Sequence, residues 1–261
     1  MIRSEPLTSP WVWAVPLAGL LLMGLIAATG SNRELFLWLN QAMQLPPSIS
    51  KHVWLNVTLF GDAGMVMILV LPLVGRRPDV IWAGLLAGIV AAVLVNGGKE
   101  LFLEPRPPAV LDASSFHQLG NRFGATSFPS GHTSAAFALA GVIALLPFDR
   151  RVRWLALGWA TLVGLSRIAV GAHWPLDVAA GMVVGWTAAL IGVRLARVIP
   201  GENRWVQRAA AALLVFTVYY LVVMHTSGDR EARLLEIVVP LLALALALPG
   251  LKKLFLPGGR T

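Results

Sequence analysis

Cysteine is absent from this 261-residue chain, which excludes disulfides, thiolate nucleophiles and cysteine-held metals. Charge is scarce too. Only 13% of residues are Asp, Glu, Lys or Arg, against about 25% in a soluble domain. No internal repeat or low-complexity tract breaks the chain, so a repeat array is excluded. No basic stripe or recognition motif is present, so nucleic acid is excluded as a partner despite a net charge of +8.

Long apolar runs fill the space instead, and 57% of residues are hydrophobic. A spanning helix needs about 20 mostly apolar residues. Stretches of that kind fall at 11–29, 55–75, 80–98, 131–148, 153–170, 176–197, 209–225 and 233–250. They predict an all-α, polytopic membrane helical bundle of about eight transmembrane helices. The first, WVWAVPLAGLLLMGLIAATG, is nearer a full span than a signal core and reads as retained. Asp62 and Pro72 interrupt the second and Pro240 the eighth. Residues 31–54 carry Leu35, Leu39 and Met43 at four-residue spacing, with Trp38 among them, and predict a short interfacial helix. Trp11, Trp13, Trp38, Trp54 and Trp174 fit an interfacial belt.

Cationic loops fix the expected orientation. With the N-terminus cytoplasmic, the inside segments hold 13 of the 21 basic residues (Arg3, Arg76, Arg77, Arg150, Arg151, Arg153, Arg194, Arg197, Arg204, Arg208, Lys252, Lys253 and Arg260) and the outside segments 8. This asymmetry predicts both termini inside.

Three of the outside cations need more than an anchoring role. Lys99 closes the third span, Arg106 follows in the longest loop, and Arg167 ends the fifth span. One cation at a helix end is ordinarily an anchor. Three on one face, beside two histidines and an aspartate, can converge on an anion. His132 opens the fourth span after Ser130 and Gly131. A helix start presents free N–H groups and a positive dipole end, Gly131 allows close approach, and Ser130 can cap or bind. Alone, this corner reads equally as a plain serine cap with an interfacial histidine. Pro175 is well placed to start the sixth helix, with Asp177 in its first turn. Asp177 can stabilise that helix start, or accept from His173 and fix its tautomer. Asn96 could support the site, His117 and Arg122 could touch head groups, and Asp62 needs either the outer surface or a neighbour.

KELFLEPRP, PSGH and SRIAVGAHWPLD together resemble the three signatures of the type-2 phosphatidic acid phosphatase superfamily, in identity, spacing and order. The resemblance runs from Lys99 to Asp177. It implies a six-helix phosphatase core within residues 1–200, followed by an extra transmembrane hairpin at 201–261. It further implies that Lys99, Arg106, Ser130, Gly131 and Arg167 bind phosphate. His173 would attack phosphorus, Asp177 would orient it, and His132 would serve as acid and then base. No cofactor or metal is implied, and Glu100, Glu104 and Asp112 are strung along a loop rather than converging. The implied partners are the lipid bilayer and a lipid phosphate or diphosphate. Undecaprenyl diphosphate, phosphatidate, phosphatidylglycerophosphate and lipid A phosphate are the candidates, at the outer face of a bacterial cytoplasmic membrane. A phosphotransferase on the same scaffold is the nearest alternative, and a flippase a remote one, since charges near the midplane and repeated halves are missing. The last two spans could be a lipid gate, a packing addition or a homo-oligomer surface.

Overall fold

The computed structural model describes residues 4–6, 8–120, 124–225 and 227–256. Arg3, Arg122 and Arg260, counted in the charge asymmetry or offered as a head-group contact, lie outside them. The described chain is all-helical apart from one isolated antiparallel bridge between Pro105 and Thr126.

Among the described residues eleven α-helices follow one another: α1 (Pro10–Thr29), α2 (Asn32–Ala42), α3 (Pro47–Leu59), α4 (Ala63–Leu69), α5 (Pro78–Phe102), α6 (Pro107–Val110), α7 (Gly131–Leu145), α8 (Arg150–Ala169), α9 (Pro175–Val198), α10 (Arg204–Tyr219) and α11 (Arg233–Phe255). The short helix expected within residues 31–54 is α2. Among the described residues five helices, α1, α5, α9, α11 and α10 with its π-helical extension to Met224, are long and apolar enough to cross a membrane. The expected count of eight is not confirmed.

Three of the expected spans depart for separate reasons. The stretch 55–75 is a bent pair, turning by 68° between Ile49–Leu59 and Ala63–Leu73. Asp62 makes the break: its backbone is extended and its carboxylate accepts from Gly64 N–H at 2.9 Å and Met65 N–H at 3.3 Å, so a new helix starts there. Counted as one crossing, this pair raises the total to six. Helix α7 has only 15 residues, about 22 Å at 1.5 Å per residue, and is buried along most of its length. It is wrapped by protein rather than lipid. Helix α8 begins with Arg150, Arg151 and Arg153, which cap its apolar length.

Close approach of α7 and α9 sets the middle of the bundle. A Cβ on Gly185 would lie 2.3 Å from the Ser134 carbonyl, and one on Gly181 would lie 2.8 Å from the Ser130 carbonyl. Glycines four apart let two membrane helices touch backbone to backbone. The helix starts are tied as well, with Ser130 N–H donating to the Asp177 carbonyl at 3.1 Å. Helices α10 and α11 share a core with the remainder: Leu214, Val218 and Ala247 pack in one cluster with Met65, Ile68 and Val80.

Candidate active site

The signature residues converge at one end of the bundle, where the α7 and α9 starts meet the α5 and α8 ends. Helix α8 finishes at Ala169, and Gly171 takes a positive φ of 78°, a conformation open to glycine at little cost. The chain doubles back there, so the Arg167 carbonyl accepts from both Ala172 N–H at 3.0 Å and His173 N–H at 3.2 Å. Pro175 starts α9 as expected, and Asp177 Oδ2 accepts from Trp174 N–H at 2.9 Å. The turn and the helix start thus place His173 and Asp177 side by side, both 1% exposed.

His173 is held at both ring nitrogens. Arg106 Nη1 donates to Nε2 at 3.0 Å and to the Ala172 carbonyl at 2.9 Å. A guanidinium cannot accept, so Nε2 carries the lone pair and Nδ1 the hydrogen. Nδ1 then donates to Asp177 Oδ2 at 3.1 Å. The expected pairing of His173 with Asp177 is present. Burial pushes His173 well below its ordinary pKa, and the charges of Arg106, Arg167, His132 and Lys99 push it further down. The ring is therefore neutral at neutral pH.

Two residues that sequence reasoning did not select complete this pocket. Ser127 Oγ donates to Asp177 Oδ2 and lies 3.3 Å from His173 Nδ1. It is placed by Ser127 N–H bonding the Glu104 carbonyl at 2.7 Å, next to the Pro105–Thr126 bridge. Thr58, near the end of α3, accepts from Arg167 Nη1. Neither hydroxyl stands out from the many that merely line loops.

Arg106 and Arg167 are 7% and 5% exposed, yet the Nε of each is buried without a hydrogen-bond partner. Unsatisfied buried donors are costly, more so on charged groups. An oxyanion is the acceptor that would satisfy both. Lys99 is partly exposed at the end of α5 and lies within electrostatic reach of both arginines. Gly98 abuts Pro129, where a Cβ would meet Cδ at 2.7 Å, and brings the α5 end against the PSGH segment.

Ser130 is fully buried and acts as the expected cap, its Oγ accepting from Thr133 N–H at 3.5 Å and Thr133 Oγ1–H at 2.9 Å. Gly131 opens α7. His132 makes no hydrogen bond among the described residues. Its ring is boxed by Gly61, where a Cβ would lie 2.8 Å from His132 Cβ and 2.6 Å from Val163 Cγ1. His225, from the C-terminal hairpin, acts on His132 electrostatically. Among the described residues no three His, Asp or Glu side chains are grouped to hold a metal ion.

The other polar expectations fall away from the centre. His117 bonds Gln41 Oε1 through Nε2 at 3.0 Å, and Asn96 is exposed and takes no part in the site. Trp174 is not a belt residue: it is 6% exposed and donates from Nε1 to the Pro105 carbonyl at 2.9 Å.

The PAP2 superfamily model matches residues 80–199, which includes every signature residue. This chain carries a PAP2 superfamily domain. Among its relatives is undecaprenyl-diphosphatase BcrC of Bacillus subtilis, 37% identical over 118 residues that cover 44% of this chain and 55% of that protein. Lipid A 1-phosphatase of Rhizobium johnstonii is 34% identical over 119 residues, covering 45% and 46%. The chain therefore spans about half the length of these curated relatives. The crystal structure of Aquifex aeolicus LpxE superimposes with a TM-score of 0.57 at 29% identity, covering 62% of this chain and 94% of that one. Together with the apolar helices, the PAP2 relatives make this a multi-pass membrane protein.

Proposed function

We propose that this PAP2 protein is a membrane lipid phosphatase that removes phosphate from a lipid phosphate or diphosphate through a phosphohistidine. The observation that carries the reading is His173: its Nε2 lone pair faces the buried Arg106 guanidinium, and the Nε donors of Arg106 and of Arg167, whose charge reaches the ring, lack partners. In the first step Nε2 attacks phosphorus and the bond to the lipid oxygen breaks, while His132 gives that oxygen a proton. In the second, His132 takes a proton from water, water attacks phosphorus, and the P–N bond breaks to release phosphate. Lys99, Arg106 and Arg167 offset the charge on the phosphoryl oxygens, with Ser130 and the Gly131 amide adding hydrogen bonds. Asp177 keeps the proton on Nδ1 and stabilises the ring as it becomes cationic. The three cations supply the charge that a metal would otherwise bring, so the reaction is metal-independent.

Residues 1–200 form the phosphatase core in this reading and 201–261 an added hairpin. The site faces the outer side of a bacterial cytoplasmic membrane, with both termini inside, as the 13-to-8 distribution of basic residues favours. A lipid tail then stays in the bilayer while the phosphate enters at head-group depth. Undecaprenyl diphosphate, a glycerophospholipid phosphate and lipid A phosphate all suit that geometry, and the relatives point the same way.

The test is purified protein with a panel of labelled lipid phosphates and diphosphates, in strong chelator. Free phosphate released without an acceptor is expected. Strict dependence on an acceptor lipid would make the protein a phosphotransferase, and activity restored only by a divalent ion would refute the metal-independent route.

A further inference from the structure

Helix α2 lies outside the PAP2 match, yet one of its faces grips the turn that carries the site. Phe36 and Asn40, one helical turn apart, are 0% and 1% exposed, whereas Trp38 on the other side is 65% exposed. Phe36 packs edge-on against Trp174, with ring centroids 5.1 Å apart. Asn40 Nδ2 donates to the carbonyls of Ile168 at 2.9 Å, Ala169 at 3.2 Å and His117 at 3.0 Å, and its Oδ1 accepts from His117 N–H at 2.8 Å. Gln44 Nε2 adds a bond to the Ala169 carbonyl at 3.1 Å.

The last carbonyls of a helix lack partners within it and need a cap. In α8 those carbonyls follow directly on Arg167 and precede His173 by four or five residues. Here the Ile168 carbonyl, which also takes Gly171 N–H at 2.9 Å, and the Ala169 carbonyl are capped by a side chain 128 and 129 residues away in sequence. The same amide clamps the 117 loop onto the turn, and Leu119 N–H reinforces this by donating to the Val170 carbonyl at 3.0 Å.

We propose that Asn40 is a positioning residue for the nucleophile: by capping α8 from outside, it holds the turn between Arg167 and His173 in register with Asp177 and Arg106. The inference rests on the phosphatase reading. Asn40 touches neither His173 nor the phosphate, and its effect runs through the backbone of 168–173. A displacement of about 1 Å in a reacting group can cost about 100-fold in rate, so loosening this turn should act on the chemical step rather than on lipid binding.

The experiment uses the full chain in lipid nanodiscs, with Asn40→Ala, Asn40→Asp and Gln44→Ala. Asn40→Asp keeps the acceptor for His117 N–H but turns oxygen toward three carbonyls. Both Asn40 variants should lose about 30- to 100-fold in kcat with KM within about threefold, and Gln44→Ala should lose about threefold. Nitrogen-15 spectra of His173 should move from the single Nδ1–H tautomer toward a mixture in the Asn40 variants, with the thermal midpoint near that of the parent. A kcat within twofold in Asn40→Ala overturns the proposal. So does a kcat loss accompanied by an unchanged His173 tautomer, which would mark Asn40 as a brace of the fold alone. If the Asn40 variants do not fold, an unchanged kcat in Gln44→Ala overturns it. A parent protein that cleaves no phosphate in the panel rejects the phosphatase reading instead, and the His173 tautomer then still decides the role of Asn40.

Discussion

His173 and His132 share one end of the bundle and are held in opposite ways. His173 is bonded at both nitrogens, to Asp177 and Arg106, on a turn capped by Asn40 and Gln44. His132 is confined only by shape, against Gly61, with no hydrogen bond among the described residues. The difference matches the two tasks proposed. A nucleophile must keep one tautomer and one line of attack. An acid that later serves as base must exchange protons with a leaving oxygen and then with water, and a fixed hydrogen bond at its nitrogen would compete with both.

Substitutions can break that contrast in order of size. His173→Ala should lower kcat by at least about 10⁴-fold with the fold retained, and should abolish trapping of a labelled phosphoenzyme; a trapped intermediate in that variant would remove His173 as nucleophile. Asp177→Asn should lower kcat by about 10³-fold, because the amide no longer favours hydrogen on Nδ1, while binding of the lipid persists in a filtration assay. His132→Ala should cost about 10²-fold on a lipid with a poor leaving group, and much less for cleavage of the first bond of p-nitrophenyl phosphate, whose leaving group needs no proton. That variant should give a burst of nitrophenol followed by stalled turnover. Gly61→Ala should cost about tenfold in kcat and about 1–3 kcal/mol in stability, since its Cβ forces the His132 ring to shift; calorimetry and steady-state rates read the two effects.

The pH profile sharpens the same contrast. His173 must be neutral to attack, and burial and its cationic neighbours hold its pKa low. The acidic limb of kcat/KM, corrected for the substrate's own ionisation, should therefore lie below the ordinary histidine value of about 6.5. Arg106→Ala should move that limb upward, because the Arg106 charge is the largest influence after burial.

Much of the site could be read from residue order. Pro175 and Asp177 announce a helix start, and Ser130 announces another. These are local signals, spanning a few residues each. The missing parts are non-local. Ser127 reaches Asp177 across 50 positions, Thr58 reaches Arg167 across 109, and Asn40 reaches Ile168 across 128; hydroxyls and amides carry no mark of a distant partner. Residues 55–75 read as one span interrupted at Asp62, but the size of the interruption was not legible: Asp62 starts a new helix there and the pair bends by 68°. Trp174 has the composition of a membrane-belt residue and is instead roofed by Phe36.

The glycine seam between α7 and α9 has a genetic consequence. Gly185 sits eight residues past Asp177 in α9, about 12 Å along the helix, and no side chain there meets a phosphate. Yet any Cβ at 185 collides with the Ser134 backbone and must wedge apart α7 and α9, whose starts hold His132 and Asp177. Alleles that silence this protein should therefore gather along a line of small residues inside the bilayer as well as at the signatures. Such alleles would yield protein that inserts and accumulates, and an observer scoring only abundance would pass them as normal.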